Sequence, residues 1–304
     1  MRTPTGRLLA VLIAAGALVA GCGAGPNRAD SAAIVGQESI PLAEVQPAIT
    51  SVLTRPGLVE GFEAQGGSQA DIGRAVVSQL VVRRLLEQAA AEHGITIGED
   101  RIDAAIAASG GEQAVASSSL AAGGARAAAR DRLIATELAT RELDRLAVTA
   151  DLAVAQTREE ATALARALAA GGAEAERALA GAGTAQRDLE IRPAATPQAA
   201  LTPLVGIPAG QVAAFQLGAG QGWVVVRVNS RELGPPPPAP VLAGRLDQQS
   251  LGEAGILLLT PLALREGVQL NPRYGTWDPV SLTAVPDAGQ AAQLFPVAEP
   301  APAG

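Results

Sequence analysis

The sequence contains no lysine, so all of its basic charge is arginine, and the formal net charge is −7 at pH 7. An acidic chain without a basic stretch excludes nucleic-acid binding, because neutralising phosphates requires clustered cations. Aromatic residues are equally scarce, at 2% of 304 residues. Any core must therefore be filled by Ala, Leu, Val and Ile, and the high alanine content favours slender, closely packed helices. One histidine and one cysteine leave no donor set for a metal and no intramolecular disulfide. A Ser-His-Asp triad would have to use His93, at the end of a helix and without a nucleophile elbow. The glycine-rich stretch Gly218–Gly222 precedes a strand, the reverse of a phosphate-binding loop, and reads as a turn. No cofactor is implied.

The single cysteine has a telling position. Arg2 and Arg7 precede an apolar run from Leu8 to Ala20, which leads into Val19-Ala20-Gly21-Cys22. The run is short for a bilayer span and ends in small residues, as a cleaved signal peptide does. Small residues running directly into Cys resemble the bacterial lipobox. Residues 1–21 are thus expected to be a lipoprotein signal peptide, with lipidation (palmitate among the acyl chains) at Cys22 and 22–30 as a tether. At about 0.8 kcal/mol per buried methylene, two or three acyl chains hold a protein on a membrane. The expected location is the extracytoplasmic face of the cell membrane.

Ala32–Val35, Gly36-Gln37 and Glu38–Ile40 read as strand, turn and return strand, with Pro41 at the first position of a helix. Leu42, Val45, Ile49 and Val52 form one helical stripe, which Pro47 should kink. The clearest helix spans Ser68 to His93. Ile72, Val76, Leu80, Val81, Leu85, Leu86 and Ala89 line it, Arg74, Arg83, Arg84 and Glu87 stand off the stripe, and Gly94 stops it. Here His93 complements the helix dipole rather than forming a site. Ile102 and Ile106 mark another helix, and a further one runs through Leu133, Ile134, Leu138, Leu143 and Leu146, with Glu137 and Arg141 paired on its solvated surface. Near Ala150 the pattern changes. Asp151–Ala155 reads as a strand, Thr157 and Glu160 as a capping box opening a helix that ends at Gly171-Gly172, and Gly222–Val228 as the best strand, with Trp223 in the core. Four prolines, Pro235–Pro238, mark a boundary. Val241–Glu266 is mostly helical, Val268–Leu270 a short strand, and Pro286–Gly304 reads as disordered.

This order of segments resembles the SurA and PrsA group of extracytoplasmic folding factors. Ile34–Ile40 is similar to the turn entering that family's first helix, although Gly36-Gln37 replaces its Asn-Gly pair. Leu85–Ala89, Ala91–Ile95 and the helix from Glu99 are similar to its long helix and the next one. In that family a parvulin-type prolyl isomerase domain often follows. Residues 151–228 are similar to it in outline, with two departures. Asp151 stands where the first-strand histidine belongs and Val224 where the last-strand histidine does, and only Arg187-Asp188-Leu189-Glu190 stands near the family's Gly-Gly-Asp-Leu-Gly loop. Peptide-bond rotation has a barrier of roughly 18–20 kcal/mol, and Asp with Val supplies no imidazole pair to lower it.

The resemblance implies a mainly α protein with a small α+β domain. A SurA-N-like helical domain (31–148) is interrupted by a degenerate parvulin-like insertion (149–233) and a Pro-rich linker (234–240). A C-terminal segment (241–283) then completes the helical domain, with Val268–Leu270 pairing with Ala32–Val35, and 284–304 forms a disordered tail. It further implies a membrane-anchored, chaperone-like protein that binds unfolded or exported polypeptides, with no catalytic residue, metal or nucleic acid. Three alternatives stay open: an active prolyl isomerase, a structural envelope lipoprotein with a dedicated partner, and a small-molecule-binding lipoprotein. The last is disfavoured by the lack of alternating strand–helix lobes.

Overall fold

The computed structural model describes residues 29–298 apart from 56, 65, 119–121 and 217–221. The expected signal peptide and Cys22 lie outside these residues, as does Gly218–Gln221 of the glycine-rich stretch.

The chain opens with strand β1 (Ser31–Val35), buried along its whole length, and its antiparallel return β2 (Glu38–Pro41). Pro41 closes β2 and stands just before helix α1 (Leu42–Leu53), one residue earlier than the first helical position expected of it. Val45 and Val52 are buried on the expected stripe, and Pro47 sits inside the helix. A short helix α2 (Leu58–Ala64), without a readable stripe of its own, comes next. Helix α3 (Gln69–Glu92) has both its ends written locally. Ser68 and Asp71 form a reciprocal capping box. At the other end the Ile95 N–H reaches the Ala90 carbonyl (2.8 Å) and the Gly94 N–H reaches Ala91 (3.4 Å), with Gly94 at φ +61°. That is a Schellman closure, which needs a left-handed residue and therefore selects glycine. Helices α4 (Glu99–Ala108), α5 (Glu112–Ser118) and α6 (Gly124–Glu142) complete the first helical layer. Arg83 does not stand off α3 in solvent: its Nε meets Asp131 of α6 at 2.9 Å, with the two side chains 11% and 16% exposed.

Strand β3 (Leu146–Ala155) begins five residues earlier than expected. Leu143 and Leu146 extend the helical spacing of α6, which is why the sequence reads as helix there. In the structure α6 stops at Glu142, and the alternating burial of a strand starts at Leu146. Residues 146–148 thus belong to the sheet. Thr157 and Glu160 cap α7 (Arg158–Ala170) reciprocally, and α8 (Gly172–Gly181) follows the Gly171-Gly172 break. The Pro- and Ala-rich loop then holds β4 (Gln186–Ile191), two short 3-10 turns and β5 (Gln211–Gln216), before the long β6 (Trp223–Leu233).

After the prolines, α9 (Gln248–Leu257) and α10 (Thr260–Glu266) return to the helical layer. α9 lies on α6 at backbone contact: a Cβ added at Gly255 would stand 1.8 Å from the Ala135 carbonyl oxygen. Strand β7 (Val268–Leu270) pairs antiparallel with β1, in the register Ala33–Leu270, Ile34–Gln269, Val35–Val268, giving a sheet of order β2-β1-β7. The expected return of the C-terminal segment to the N-terminal strand is therefore present, and Asn271 reinforces it by donating to the Ser31 carbonyl (3.1 Å).

The tail departs from expectation. Beyond the β8 (Thr276–Asp278) and β9 (Thr283–Val285) hairpin, strand β10 (Gln293–Pro296) pairs antiparallel with β5. Of the expected disordered tail 284–304, residues 284–298 form defined structure that includes β10, and 299–304 lie outside the described residues. Their Ala- and Pro-rich composition hides a six-residue segment, Gln293–Ala298, whose alternate side chains fit the two faces of an existing sheet edge. The larger sheet runs β10-β5-β6-β3-β4, all antiparallel. One of its faces carries Val148, Ala150, Val226 and Val228 into the same apolar core as Leu138, Leu251 and Leu258 of the helices. The inserted lobe thus shares a continuous core with the helical one. Its 3-10 segment approaches closely enough that a Cβ at Gly206 would lie 2.0 Å from the Leu257 carbonyl oxygen.

Candidate polypeptide-binding site

The β3–β6 register sorts the sheet's side chains. Asp151 lies opposite Arg227, Leu152 opposite Val226, Ala153 opposite Val225 and Val154 opposite Val224. Because neighbours along a strand point to opposite faces, Asp151 and Val224 are on different faces. Two side chains that share one site must lie on one face, so aligning both with a cooperating histidine pair is incorrect. The β3 residues on Val224's face are Ala150, Leu152 and Val154, and all three are apolar. The error arose because a strand's start cannot be placed to a single residue from sequence, and a shift of one exchanges the faces.

Asp151 has a different role. It is 2% exposed, on the face covered by α7 and α8. Its Oδ2 accepts from Arg227 (Nη2 2.6 Å, Nε 2.8 Å) and Asn229 (3.1 Å), and its Oδ1 accepts from the Asp188 backbone N–H (2.9 Å). A bulge in the β3–β4 pairing and a positive φ of 47° at Asp188 aim that N–H inward. Burial alone would raise this carboxyl's pKa, but the Asp188 N–H, Arg227 and Asn229 together hold it below the ordinary carboxylate range. It is a structural anchor. Arg187–Glu190, the residues nearest the family's glycine loop, are part of β4 and serve this anchor. Trp223 is core as expected, 6% exposed, with the Arg158 guanidinium 5.8 Å from its ring centre.

On the opposite face, Val224 (8% exposed) and Phe215 (4%) belong to the core shared with the helical lobe and Leu152 packs against it, so that only the Val154 end of this face is exposed, at 38%. The only histidine is elsewhere. His93 follows α3 as its C-terminal cap, with its Nδ1 3.6 Å from Glu142, and Glu142 also meets Arg231 of β6 at 3.5 Å. It joins elements of the two lobes and lines a small cavity of about 180 Å³. Glu137 and Arg141 pair at 3.0 Å on the exposed side of α6, as expected.

The helical lobe adds two clefts. One of about 380 Å³ lies between α3, α6 and α9, with Val82, Leu86, Ala135 and Ile256 as apolar lining and Asp131 and Glu253 among its polar residues. The other, about 500 Å³, lies between α1, α3 and the start of α6, lined in part by Pro47, Ala48 and Leu80. Neither could be read from the sequence, because each is lined by residues brought together from distant segments. Asp131, buried beside Arg83, has its pKa raised by that burial, against the opposing pull of the guanidinium. Among the described residues no group of His, Cys, Asp or Glu is placed to hold a metal ion, and no helix is long and apolar enough to cross a membrane.

Residues 2–114 match the family described as a SurA-like N-terminal domain, and residues 137–240 match the PPIC-type peptidyl-prolyl isomerase domain. No curated protein matches the chain.

Proposed function

We propose, from the premise that its SurA-like and PPIC-type domains make this chain a SurA/PrsA-type extracytoplasmic folding factor, that it holds unfolded or exported polypeptides without catalysing prolyl isomerisation. The observation that carries this is the intact isomerase-type sheet with Leu152, Val154 and Val224 on one face and no histidine anywhere between residues 137 and 240. Most of this face is already buried in the core shared with the helical lobe, so it can bury an extended or partly folded segment, at about 25 cal/mol per Å², only at its exposed Val154 end. It offers no imidazole to steer a twisted amide. The clefts beside α3 supply further apolar contact, rimmed by polar groups that tolerate varied clients. An acylated Cys22 would keep these surfaces at the extracytoplasmic face of the membrane, where exported chains emerge.

Two measurements on one preparation test the reading. The soluble chain should suppress aggregation of a denatured client at equal molarity, and it should leave the isomerisation rate of a proline-containing peptide at its uncatalysed value. Absence of protection removes the chaperone reading, and a rate that scales with added protein removes the non-catalytic one. Radiolabelled palmitate incorporation that disappears in Cys22→Ser is the expected result for the anchor.

A further inference from the structure

The edge of the larger sheet is finished by a strand from outside its own domain. The PPIC-type match ends at residue 240, yet β10, residues 293–296, occupies the free edge of β5. An uncovered β5 would present a row of unpaired N–H and carbonyl groups, which is a template for any extended chain. The way β10 lies there is the way a bound peptide lies. Its partners are the backbone of Gln211–Ala214, the Val297 N–H continues to the Gly210 carbonyl (2.8 Å), and the Ala298 N–H reaches the Ala169 carbonyl in the last turn of α7 (2.7 Å). These contacts are main-chain and therefore indifferent to sequence. Side chains add only coarse selection: Phe295 and Val297 pack on the cluster containing Leu168, Val212 and Ala214, while Leu294 packs on the other face.

The same strand is lightly held. It is four residues long, its side chains are half-buried or exposed, and Pro296 has no N–H to give to the ladder. Residues 286–292, tethered by the Ala292 N–H on Asp278 (3.2 Å) and by Arg158 on the Ala288 carbonyl (2.7 Å), keep it close to the edge.

We propose that the β5 edge, with the apolar strip over α7 beside it, is a docking site for an extended apolar segment of a client polypeptide. β10 is the intramolecular segment that fills this site until a client displaces it by strand exchange. The inference rests on the polypeptide-binding reading above. A short tether supplies an effective concentration in the millimolar range, so the tail should suppress weak peptides strongly and allow exchange with longer clients.

The test uses the chain with Cys22→Ser and a fluorescein-labelled peptide of residues 291–298, read by fluorescence polarisation. A second labelled peptide of unrelated sequence but similar apolar alternation is measured in parallel. In the opened form, Leu294→Asp with Phe295→Asp, both peptides should bind at least about tenfold more tightly than to the parent. In a locked form, Ala213→Cys with Leu294→Cys, oxidation should abolish binding and reduction should restore the parental level. These two positions are directly opposite each other. Because the oxidised and reduced states are one protein, this arm decides the matter even if the opened variant fails to fold. Equal binding by oxidised and reduced forms, absence of binding included, overturns the proposal. Client protection measured on the same samples separates the two readings. Protection that persists unchanged in the locked form sinks the edge site alone, whereas no protection in any form sinks the polypeptide-binding reading itself.

Discussion

The helical lobe and the sheet lobe each bury an aspartate against an arginine, and the pKa values of the two carboxyls are shifted in opposite directions. Asp131 receives one guanidinium, from Arg83, and its pKa is raised because burial outweighs that single partner. Asp151 is also buried, but it gathers a backbone N–H, an amide and a guanidinium, and its pKa is lowered. A nearby cation does not by itself compensate for lost hydration; the number of donors on the carboxylate decides. The sheet lobe could concentrate donors because a bulge and two strands converge on one point. The helical pair sits between α3 and α6, whose backbone N–H groups are committed within the helices.

The largest effect should come from testing whether the lobes are separate at all. Ala at Gly255 or at Gly206 would drive a Cβ into a carbonyl oxygen, within the helical lobe in the first case and between the lobes in the second. Each should cost about 3 kcal/mol, at the upper end of overpacking effects. Urea unfolding should keep a single transition in both variants, because the apolar core is continuous. Two resolved transitions for Gly206→Ala would show that the lobes are independent.

Of similar size is Asp151→Ala, which leaves Arg227 buried without its main acceptor. A loss of about 3 kcal/mol follows, against about 1 kcal/mol for Asp131→Asn, where a poorly solvated charge is removed along with its partner contact. The pH dependence sharpens the contrast. With its folded-state pKa depressed, Asp151 contributes stability that is present above the unfolded value of about 4 and is lost as pH falls through the folded value. Asp131 has its folded-state pKa raised, so its contribution is greatest below about 4 and declines as pH rises through the folded value. Denaturation midpoints across pH 2.5–7 should therefore flatten below pH 4 in Asp151→Asn and above it in Asp131→Asn. Identical profiles would refute the comparison.

The smallest effects should be those the lobes share. Ser68→Ala and Thr157→Ala each remove a reciprocal cap, from α3 and α7. Each should lower stability by about 1 kcal/mol, measured as equal shifts in urea midpoint. A much larger loss at either helix would mean that its first turn carries tertiary contacts as well.

The elements that were legible in the sequence are those whose causes are local. Gly94, Thr157 with Glu160 and Gly171-Gly172 delimit α3 and α7 through bonds spanning a few residues, and the stripe from Ile72 to Ala89 states which side of α3 is buried; the Ser68–Asp71 cap emerged only in the structure. The resemblance supplied the return of Val268–Leu270 to β1. The faces of β3 were not legible, because a strand's period of two leaves its assignment hanging on one residue at Leu146. The Arg83–Asp131 pair, the donors around Asp151 and the clefts beside α3 join segments tens of residues apart and left no local signal.

On its own, then, the chain's sequence determined the long helix α3 and the capped helix α7, with the signals that end them, and the absence of imidazole from the sheet lobe. Only the tertiary structure decided that Val224 shares a face with Leu152 rather than Asp151, and that an Ala- and Pro-rich tail becomes the last strand of a sheet. The physical reason is the same for both. A strand acquires its faces and its hydrogen-bond partners from whatever lies beside it, whereas a helix carries its own.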